Sequence, residues 1–323
     1  MSLQKRVFVV GGTGFLGYHA IQEFLKEGWN VTALGLPPAP PVDLFPANVK
    51  VILQNIALSS DDALINLMRG NDAVVFAAGM DDRITPKKPA YPKFHAANVE
   101  ACARTLNLAQ QAGIKRAVVL GSYYAHFDRL WPEMKLAEKH AYIRSRVEQE
   151  RAANAIPILE TCVLELPYIF GDTLGRKPLW YPLVKYIRSS RVLFYMKGGS
   201  ACITAETVGQ AVIGAIERGQ AGKCYPIGDE NLTWPELLTR LAAADGRRIK
   251  VLTLPTWLIK LGLYGLWLVH QIQGKESGLD SRYFASLQTA ETFLDPLPSK
   301  QALGYETGGL DKAFQKTVKA CKT

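Results

Sequence analysis

The start of the chain combines a short apolar run, a cluster of glycines and a segment with helical periodicity. Residues 7–10 are β-branched or aromatic without polar alternation, which is typical of a strand covered on both faces of a parallel sheet. Glycine-rich residues 11–17 follow, then a helical pattern over 18–27 and a second strand pattern over 30–34. This order predicts a strand, a turn, a helix and a second strand, which is how a doubly wound α/β sheet begins.

The glycines of this turn have the spacing G-x-x-G-x-x-G, at Gly11, Gly14 and Gly17. The first permits a tight turn, the second lets the backbone approach a pyrophosphate, and the third lets the helix lie close to the strand. The helix N-terminus then offers free N–H groups and a partial positive charge to phosphates. We therefore interpret the turn as a dinucleotide site; the alternative is a glycine-rich loop that binds nothing.

The composition is that of a folded protein with a large core. The chain has 323 residues, of which 48% are hydrophobic and 21% charged. Its length suggests about two domains and is enough to bury a core without disulfide or metal staples. The five cysteines form no C-x-x-C pair, and the five histidines add no zinc-ligand spacing. We expect free thiols in a reducing compartment and no metal site.

The net charge of +9 narrows the range of partners. An excess of Lys and Arg suits phosphorylated cofactors, and also nucleic acid or an anionic membrane surface. The basic residues are spread along the chain instead of forming a stripe or a known module, so no nucleic-acid partner is expected. The apolar start runs into glycines rather than into a signal-peptide cleavage site, so the expected location is cytoplasmic.

The sequence G-G-T-G-F-L-G after a short strand resembles the extended branch of the short-chain dehydrogenase/reductase superfamily, the epimerase/dehydratase-type enzymes. Further segments resemble that family in the same order along the chain: the fourth strand at 72–79, the N-V-x-G-T-x-N-L segment from Asn98, the fifth strand at 114–122, the P-x-x-V-Y-G turn at 166–171 and the V-D-D-V-A-x-A segment at 203–211. The resemblance covers nearly the whole chain.

The resemblance implies a Rossmann-type doubly wound parallel sheet with a smaller, mainly helical C-terminal substrate lobe. Residues 1–166 and about 204–228 would form the dinucleotide-binding domain, and about 167–203 with 229–323 the lobe. It also implies the residues that contact the cofactor, NAD or NADP. These are Gly11, Thr13, Gly14, Phe15, Leu16, Gly17, Gly35, Asn55, Ile56, Ala77, Ala78, Gly79, Asn98, Pro167 and Ile169.

The end of the second strand carries neither residue that separates the two cofactors. Gly35 stands where NAD enzymes of this type have an acid, and Leu36 stands where NADP enzymes often have an arginine. Asn55 takes the place of the family's third-strand aspartate and could bond the adenine edge. Because the missing acid removes a repulsion against a 2′-phosphate, the sequence leans slightly toward NADP.

The family's catalytic helix carries Y-x-x-x-K, and residues 142–150 resemble it at each marked position except the lysine, which is Arg146. The resemblance implies that Tyr142 is the general acid/base and that the cation holds the nicotinamide ribose. A cation is needed because a free phenol titrates near ~10. Arginine keeps the charge but cannot be deprotonated in a protein, so it cannot relay a proton.

The oxygen-orienting Ser/Thr is ambiguous, because Tyr123 falls at the aligned position and Ser122 one residue earlier. A one-residue shift on a strand turns a side chain to the other face, so either a bulge brings Ser122 inward or the Tyr123 hydroxyl serves. Nearby, His126 is a candidate site residue or an ordinary packed histidine. Glu165 replaces a family arginine and is expected to pair with a neighbouring Arg rather than to repel acidic substrates.

The favoured function is hydride transfer between nicotinamide and an alcohol/carbonyl pair. Aromatic residues after the sixth strand and in the C-terminal third favour an apolar or aromatic small-molecule substrate. Nucleotide-sugar epimerisation or dehydration is one alternative. A catalytically slow NAD(P)-binding regulator or scaffold is the other, because the site departs from the family in several places.

The most hydrophobic segment, residues 256–269, is too short to span a bilayer, for which ~20 residues are needed. Apolarity nearly all round favours a buried helix or a lid over the pocket. Contact with a membrane surface is the less favoured alternative. A homodimer paired through helices near 98–112 and 142–155 is a further expectation from the resemblance.

Overall fold

The structure is a computed structural model that describes residues 4–322. Its main sheet contains seven strands: β1 (Arg6–Val10), β2 (Asn30–Gly35), β3 (Lys50–Leu53), β4 (Ala73–Phe76), β5 (Arg116–Leu120), β6 (Glu160–Glu165) and β10 (Cys224–Pro226). All neighbours pair in parallel, in the order β10-β6-β5-β4-β1-β2-β3. The predicted doubly wound α/β fold is confirmed, and its strand order reverses between β1 and β4, where such sheets bind their ligands.

Helices cover both faces of this sheet, which is why its strands are apolar without alternation. One face packs on α1 (Phe15–Lys26) and α9 (Ala205–Arg218). The other packs on α2 (Asp61–Met68), α4 (Ala101–Gln111) and α7 (Ala141–Asn154). Shorter helices complete this part, namely α3 (Tyr91–Phe94), α5 (Tyr123–Leu130) and α6 (Leu136–Lys139), with a π-helical turn at His95–Glu100 and 3₁₀ turns at Val42–Leu44, Ile56–Leu58 and Pro132–Met134.

Two smaller sheets lie beyond the main one. The first joins β7 (Tyr168–Phe170), β9 (Gly199–Thr204), β11 (Glu230–Thr233) and β13 (Glu291–Thr292); the second pairs β8 (Val192–Tyr195) with β12 (Lys250–Thr253). The helices of this part are α8 (Tyr181–Ser189), α10 (Trp234–Ala244), α11 (Thr256–Ile272), α12 (Ser281–Gln288), α13 (Leu297–Leu303) and α14 (Leu310–Ala320). These strands and helices together enclose an aromatic core that contains Phe170, Trp234 and Phe314.

The expectation that residues 256–269 form a buried helix is wrong, while the alternative of a lid over the pocket stays a prediction. They form most of α11, and not one residue of that helix is buried. Hydropathy predicts burial only if other layers enclose the helix, and α11 packs on one side, against α12. Within residues 4–322, no helix is long and apolar enough to cross a membrane.

Candidate active site

The glycine turn between β1 and α1 leaves no room for side chains on its inner side. Gly11 has a φ of +79°, and a Cβ there would lie 2.7 Å from the Ala77 carbonyl oxygen. A Cβ on Gly17 would overlap the Gly11 carbonyl oxygen. Within the described chain no side chain caps α1, whose N-cap is Gly14. The first-turn N–H groups are therefore free for an external anion, and the turn fits the diphosphate of a dinucleotide.

The end of β2 shows why an acid is missing there. A Cβ on Gly35 would overlap the Thr13 side chain, which is itself buried. Thr13 thus occupies the space from which an acidic side chain would extend. Asn55 lies at the end of β3, where its Oδ1 accepts a hydrogen bond from Ala57 N at 2.9 Å and caps the turn at Ile56–Leu58. These two contacts shape the adenosine end of the proposed cofactor site.

A cleft of about 440 Å³ opens at the carboxyl ends of β1, β4, β5 and β6. It brings together many of the residues proposed from the sequence: Phe15, Leu16, Ala77, Ala78, Gly79, Ser122, Tyr123, Tyr142, Arg146, Pro167 and Ile169. The other residues predicted to contact the cofactor do not line it, namely Gly11, Thr13, Gly14, Gly17, Gly35, Asn55, Ile56 and Asn98.

Tyr142 and Arg146 lie one turn apart on α7, and both are buried. The guanidinium carbon lies 5.2 Å from the tyrosine ring centroid. Burial raises the pKa of Tyr142; the charge of Arg146 and a hydrogen bond with Ser122 lower it in part, while Asp82 and Asp81 raise it. The Arg146 Nε atom is buried, and no group in residues 4–322 accepts a hydrogen bond from it.

The structure separates the two candidates for the oxygen-orienting group. β5 ends at Leu120, so Ser122 lies in a turn and caps α5, and strand alternation does not decide its direction. Its hydroxyl interacts with Tyr142. The Tyr123 hydroxyl instead lies 2.8 Å from Ser200 Oγ and 3.3 Å from Thr292 Oγ1, in the core. Ser122, not Tyr123, presents its hydroxyl to the proposed catalytic tyrosine.

Asn98 is fully buried and supports the loop that follows β4. Its Oδ1 accepts a hydrogen bond from Met80 N at 2.7 Å, and its Nδ2 donates to Ser145 Oγ at 3.0 Å. A Cβ on Gly79 would lie 2.7 Å from the same Oδ1. Asn98 therefore ties the β4 loop to α7 and positions the cleft wall without lining the cleft.

His126 and Glu165 belong to a cluster beside the cleft that surrounds two buried carboxylates, Glu150 and Glu165. Arg129 pairs with Glu165 and, at 2.6 Å, with Glu150; His126 Nδ1 lies 3.8 Å from Glu165 Oε2. Burial and the nearby Glu165 charge raise the pKa of Glu150 to about 8. Neither His126 nor Glu165 lines the cleft, and Glu165 has the arginine partner expected for it.

Three charged residues of the cleft were missed by the sequence analysis. Asp81, Asp82 and Arg83 follow Gly79 and line the cleft opposite Tyr142. Arg83 Nε donates to Asp81 Oδ1 at 2.6 Å. Burial and the Asp81 charge raise the pKa of Asp82 to about 7. Two consecutive acids within a few residues of the carboxyl end of the central strand β4 were the signal that could have identified them.

The outer wall of the cleft is aromatic, formed by Tyr124, Tyr168, Trp180 and Phe284. The Tyr168 and Trp180 ring centroids are 5.0 Å apart, and Trp180 Nε1 donates to Ile169 O at 2.7 Å, which fixes the indole. The Tyr124 hydroxyl is buried without a hydrogen-bond partner in the described part of the chain. A ligand on this wall of the cleft would therefore meet flat aromatic ring surfaces.

Comparison with known proteins agrees with this geometry. Residues 11–158 match a family model described as NAD(P)H-binding. The chain is 24% identical over 266 residues to a putative dihydroflavonol 4-reductase of Synechocystis sp., covering 78% of this chain and 76% of the relative. It is 26% identical over 320 residues to 4-hydroxy-2-methyl-3-oxo-4-farnesyl-3,4-dihydroquinoline-1-oxide ketoreductase of Stigmatella aurantiaca, covering 93% and 91% of the two chains.

Among solved structures, a nucleoside-diphosphate-sugar epimerase from Pseudomonas aeruginosa superposes with a TM-score of 0.75 at 18% identity, covering 99% of this chain and 98% of the epimerase. That identity shows a shared fold and nothing finer. Residues 11–158 thus match an NAD(P)H-binding family, the chain as a whole is similar to reductases, and its fold is that of the extended short-chain dehydrogenase/reductases, the NAD-dependent epimerase/dehydratase family.

Proposed function

We propose that the protein is an NAD(P)H-dependent reductase of an apolar or aromatic carbonyl compound. The observation that carries the proposal is the convergence of Ser122, Tyr142 and Arg146 on one cleft that continues from the glycine turn. A hydroxyl, a phenol and a cation around one point are the groups that carbonyl reduction needs, since negative charge develops on the carbonyl oxygen.

The roles follow from the atoms available. Reduced nicotinamide, when bound, supplies the hydride that the carbonyl carbon accepts. The Tyr142 hydroxyl gives its proton to the carbonyl oxygen, so that an alcohol is formed, while the Ser122 hydroxyl donates a hydrogen bond to the same oxygen. Arg146 stabilises the resulting phenolate and faces the ribose side of the proposed cofactor site. Tyr142 regains its proton from solvent, since a guanidinium does not release one.

The protonation state of Tyr142 favours one direction of the proposed reaction. Burial is the largest effect on its pKa and raises it, so the phenol is protonated at neutral pH. A protonated phenol is an acid, as reduction requires; oxidation would require the phenolate. With Tyr142 protonated at neutral pH, the site favours reduction over oxidation.

The aromatic wall of the cleft indicates the class of substrate. Tyr168, Trp180 and Phe284 offer ring faces to a ligand. The reductase relatives named above are described as acting on a dihydroflavonol and on a farnesylated quinoline oxide, an aromatic and an apolar compound. Both features favour an apolar carbonyl compound over a nucleotide sugar.

The proposed cofactor is NADPH, with NADH accepted. No carboxylate is available at Gly35 to bond an adenosine ribose or to repel a 2′-phosphate, since Thr13 fills that space. The residues proposed to hold the diphosphate are the first-turn amides of α1, at Phe15, Leu16 and Gly17.

The test is a screen of NADPH and NADH oxidation over aromatic ketones, sterol-like and long-chain ketones, aldehydes and nucleotide sugars. The proposal expects turnover of ketones with large apolar groups. Conversion of nucleotide sugars without net cofactor oxidation would point to the epimerase alternative. Cofactor binding with no turnover of any compound would point to the regulatory alternative.

A further inference from the structure

The outward side of α11 is an apolar stripe that no part of the described chain covers. Five residues at helical spacing point away from the fold and are between 45 and 87% exposed: Trp257, Leu261, Tyr264, Leu268 and Ile272. The opposite side, at Ile259, Leu263 and Trp267, is half-buried. Because residues three and four apart share one helix face, the exposed stripe runs along the whole helix.

The apolar surface continues onto the strand that leads into α11. β12 pairs with β8, and this pair exposes Val192, Phe194 and Leu252. Leu254 N, at the link to the helix, donates to Tyr195 O at 2.8 Å, which ties the start of α11 to the strand pair. A contiguous apolar surface of this kind marks an interaction site on a folded protein.

The charged residues of the chain segment that contains β12 and α11 have one sign. Between Asp245 and Glu276 the sequence contains no acidic residue, but it contains five basic ones: Arg247, Arg248, Lys250, Lys260 and Lys275. Within residues 4–322 none of the five forms a salt bridge, although lysines and arginines elsewhere in the fold do. Lys260 lies inside α11 itself and is exposed. The surface therefore combines apolar contact area with unneutralised positive charge.

Apolar contact area together with positive charge favours one kind of binding partner over the others. A second copy paired through α11 would bring two sets of these five cations together, which is unfavourable without intervening carboxylates. α11 has 17 residues, about 25 Å of helix, which is shorter than the ~30 Å core of a bilayer. A helix of this length with basic flanks and exposed tryptophan and leucine is suited to lie in the plane of an anionic lipid surface.

We propose that α11 and the exposed strand pair β8–β12 dock the protein onto an anionic phospholipid surface, with the helix axis parallel to the membrane. The stripe from Trp257 to Ile272 inserts among the lipid chains, and the five basic residues contact the headgroups. α12 lies between this surface and the cleft, since it packs on α11 and contributes Phe284 to the cleft wall. The proposal does not depend on the proposed reaction.

The test is flotation of the full-length protein with vesicles of phosphatidylcholine alone and of phosphatidylcholine mixed with phosphatidylglycerol. We expect binding to the mixed vesicles that weakens as NaCl is raised, and little binding to phosphatidylcholine. Leu261→Asp, on the stripe, should weaken binding at least ~10-fold, because a leucine that would insert among the lipid chains is replaced by a charge. Leu297→Asp is the matched control: Leu297 is similarly exposed but lies on α13. The control should bind like the unmodified protein.

The charge contribution is tested by the double variant Arg248→Glu with Lys250→Glu, which should bind the mixed vesicles at least ~10-fold more weakly. Circular dichroism and thermal melting check that each variant folds. No binding to the mixed vesicles, or equal loss in Leu261→Asp and Leu297→Asp, overturns the proposal. So does a dimer, measured by light scattering, that Leu261→Asp dissociates, because α11 would then be an interface between two copies.

Discussion

The Arg146 guanidinium is fixed over the Tyr142 ring by its own hydrogen bonds. Its Nη1 atom donates to Gln149 Oε1 at 2.8 Å and to Leu120 O at 3.3 Å. Burial raises the pKa of Tyr142, and this immobilised charge lowers it in part. Tyr142 is therefore protonated at neutral pH but is a stronger acid than a phenol buried without a cation.

Removing the cation should change the pH profile. Arg146→Met raises the pKa of Tyr142 further, so the alkaline limb of kcat for reduction should move up by roughly one pH unit. The rate below that limb should fall about 10-fold, because the acid is weaker and less well positioned. Arg146→Lys keeps the charge and should leave the limb near its original position. A limb that stays in place in Arg146→Met would show that another group controls it.

Removing the Asp82 charge should shift the pH profile of kcat in the opposite direction. Its negative charge raises the pKa of Tyr142, so Asp82→Asn should move the alkaline limb down by roughly half a unit to one unit. Asp62→Asn, on the exposed side of α2, serves as the control and should leave the profile unchanged. Steady-state rates from pH 7 to 12 measure both variants, and a shift to higher pH in Asp82→Asn would contradict the electrostatic assignment.

The packing of Thr13 on Gly35 predicts how cofactor binding responds to added bulk. Gly35→Ala forces Thr13 to move, so the rise in Tm produced by saturating NADPH or NADH should shrink for both cofactors. Gly262→Ala is the control, since its added Cβ meets nothing within 4 Å. In the unmodified protein NADPH should raise Tm at least as much as NADH; a much larger shift with NADH would show that the preference is for NAD.

The cluster around Arg129 predicts a stability change with pH. The pKa of Glu150 is raised in the fold to about 8, so the folded state binds the extra proton and stability is lost as pH rises from about 4.5 through 8. Glu150→Gln stays neutral, and at pH 9 its Tm should exceed that of the unmodified protein by about 2–4 °C, roughly the effect of 1 kcal/mol. The two proteins should melt alike near pH 5.

Glu148, two residues earlier on α7, provides a control of opposite sign. Burial raises its pKa, but hydrogen bonds from Tyr91 and Arg144 outweigh that effect and bring it below the usual value. Its ionised form therefore stabilises the fold above about pH 4.5. Glu148→Gln should not raise Tm at pH 9; an increase equal to that of Glu150→Gln would show that the loss of any α7 carboxylate is sufficient.

Features of the site that depend only on residues close together in the sequence could be predicted. Gly11, Gly14 and Gly17 act through backbone geometry within one turn, and Tyr142 with Arg146 share a helix face by spacing alone. The choice between Ser122 and Tyr123 could not be made, because it depends on β5 ending at Leu120. The division of the chain into two domains at the stated boundaries stays a prediction.

Features that depend on contacts between residues far apart in the sequence could not be predicted. Asp82 acquires its raised pKa from burial and from Asp81 in a cleft formed by several separate loops. Hydropathy identified the apolar segment that became α11, but it carries no information on whether another layer covers that helix. The expectation of burial was wrong for this reason, and α11 is exposed.

The central claim is that the Tyr142 hydroxyl donates the proton in carbonyl reduction. It is tested most directly by comparing kcat of Tyr142→Phe and Tyr123→Phe with a ketone that the unmodified protein reduces. Tyr142→Phe should lose at least ~100-fold in kcat with little change in Tm. Tyr123→Phe should keep its turnover and lose about 1 kcal/mol of stability, since its hydroxyl bonds Ser200 and Thr292 in the core. Undiminished turnover in Tyr142→Phe would contradict the claim.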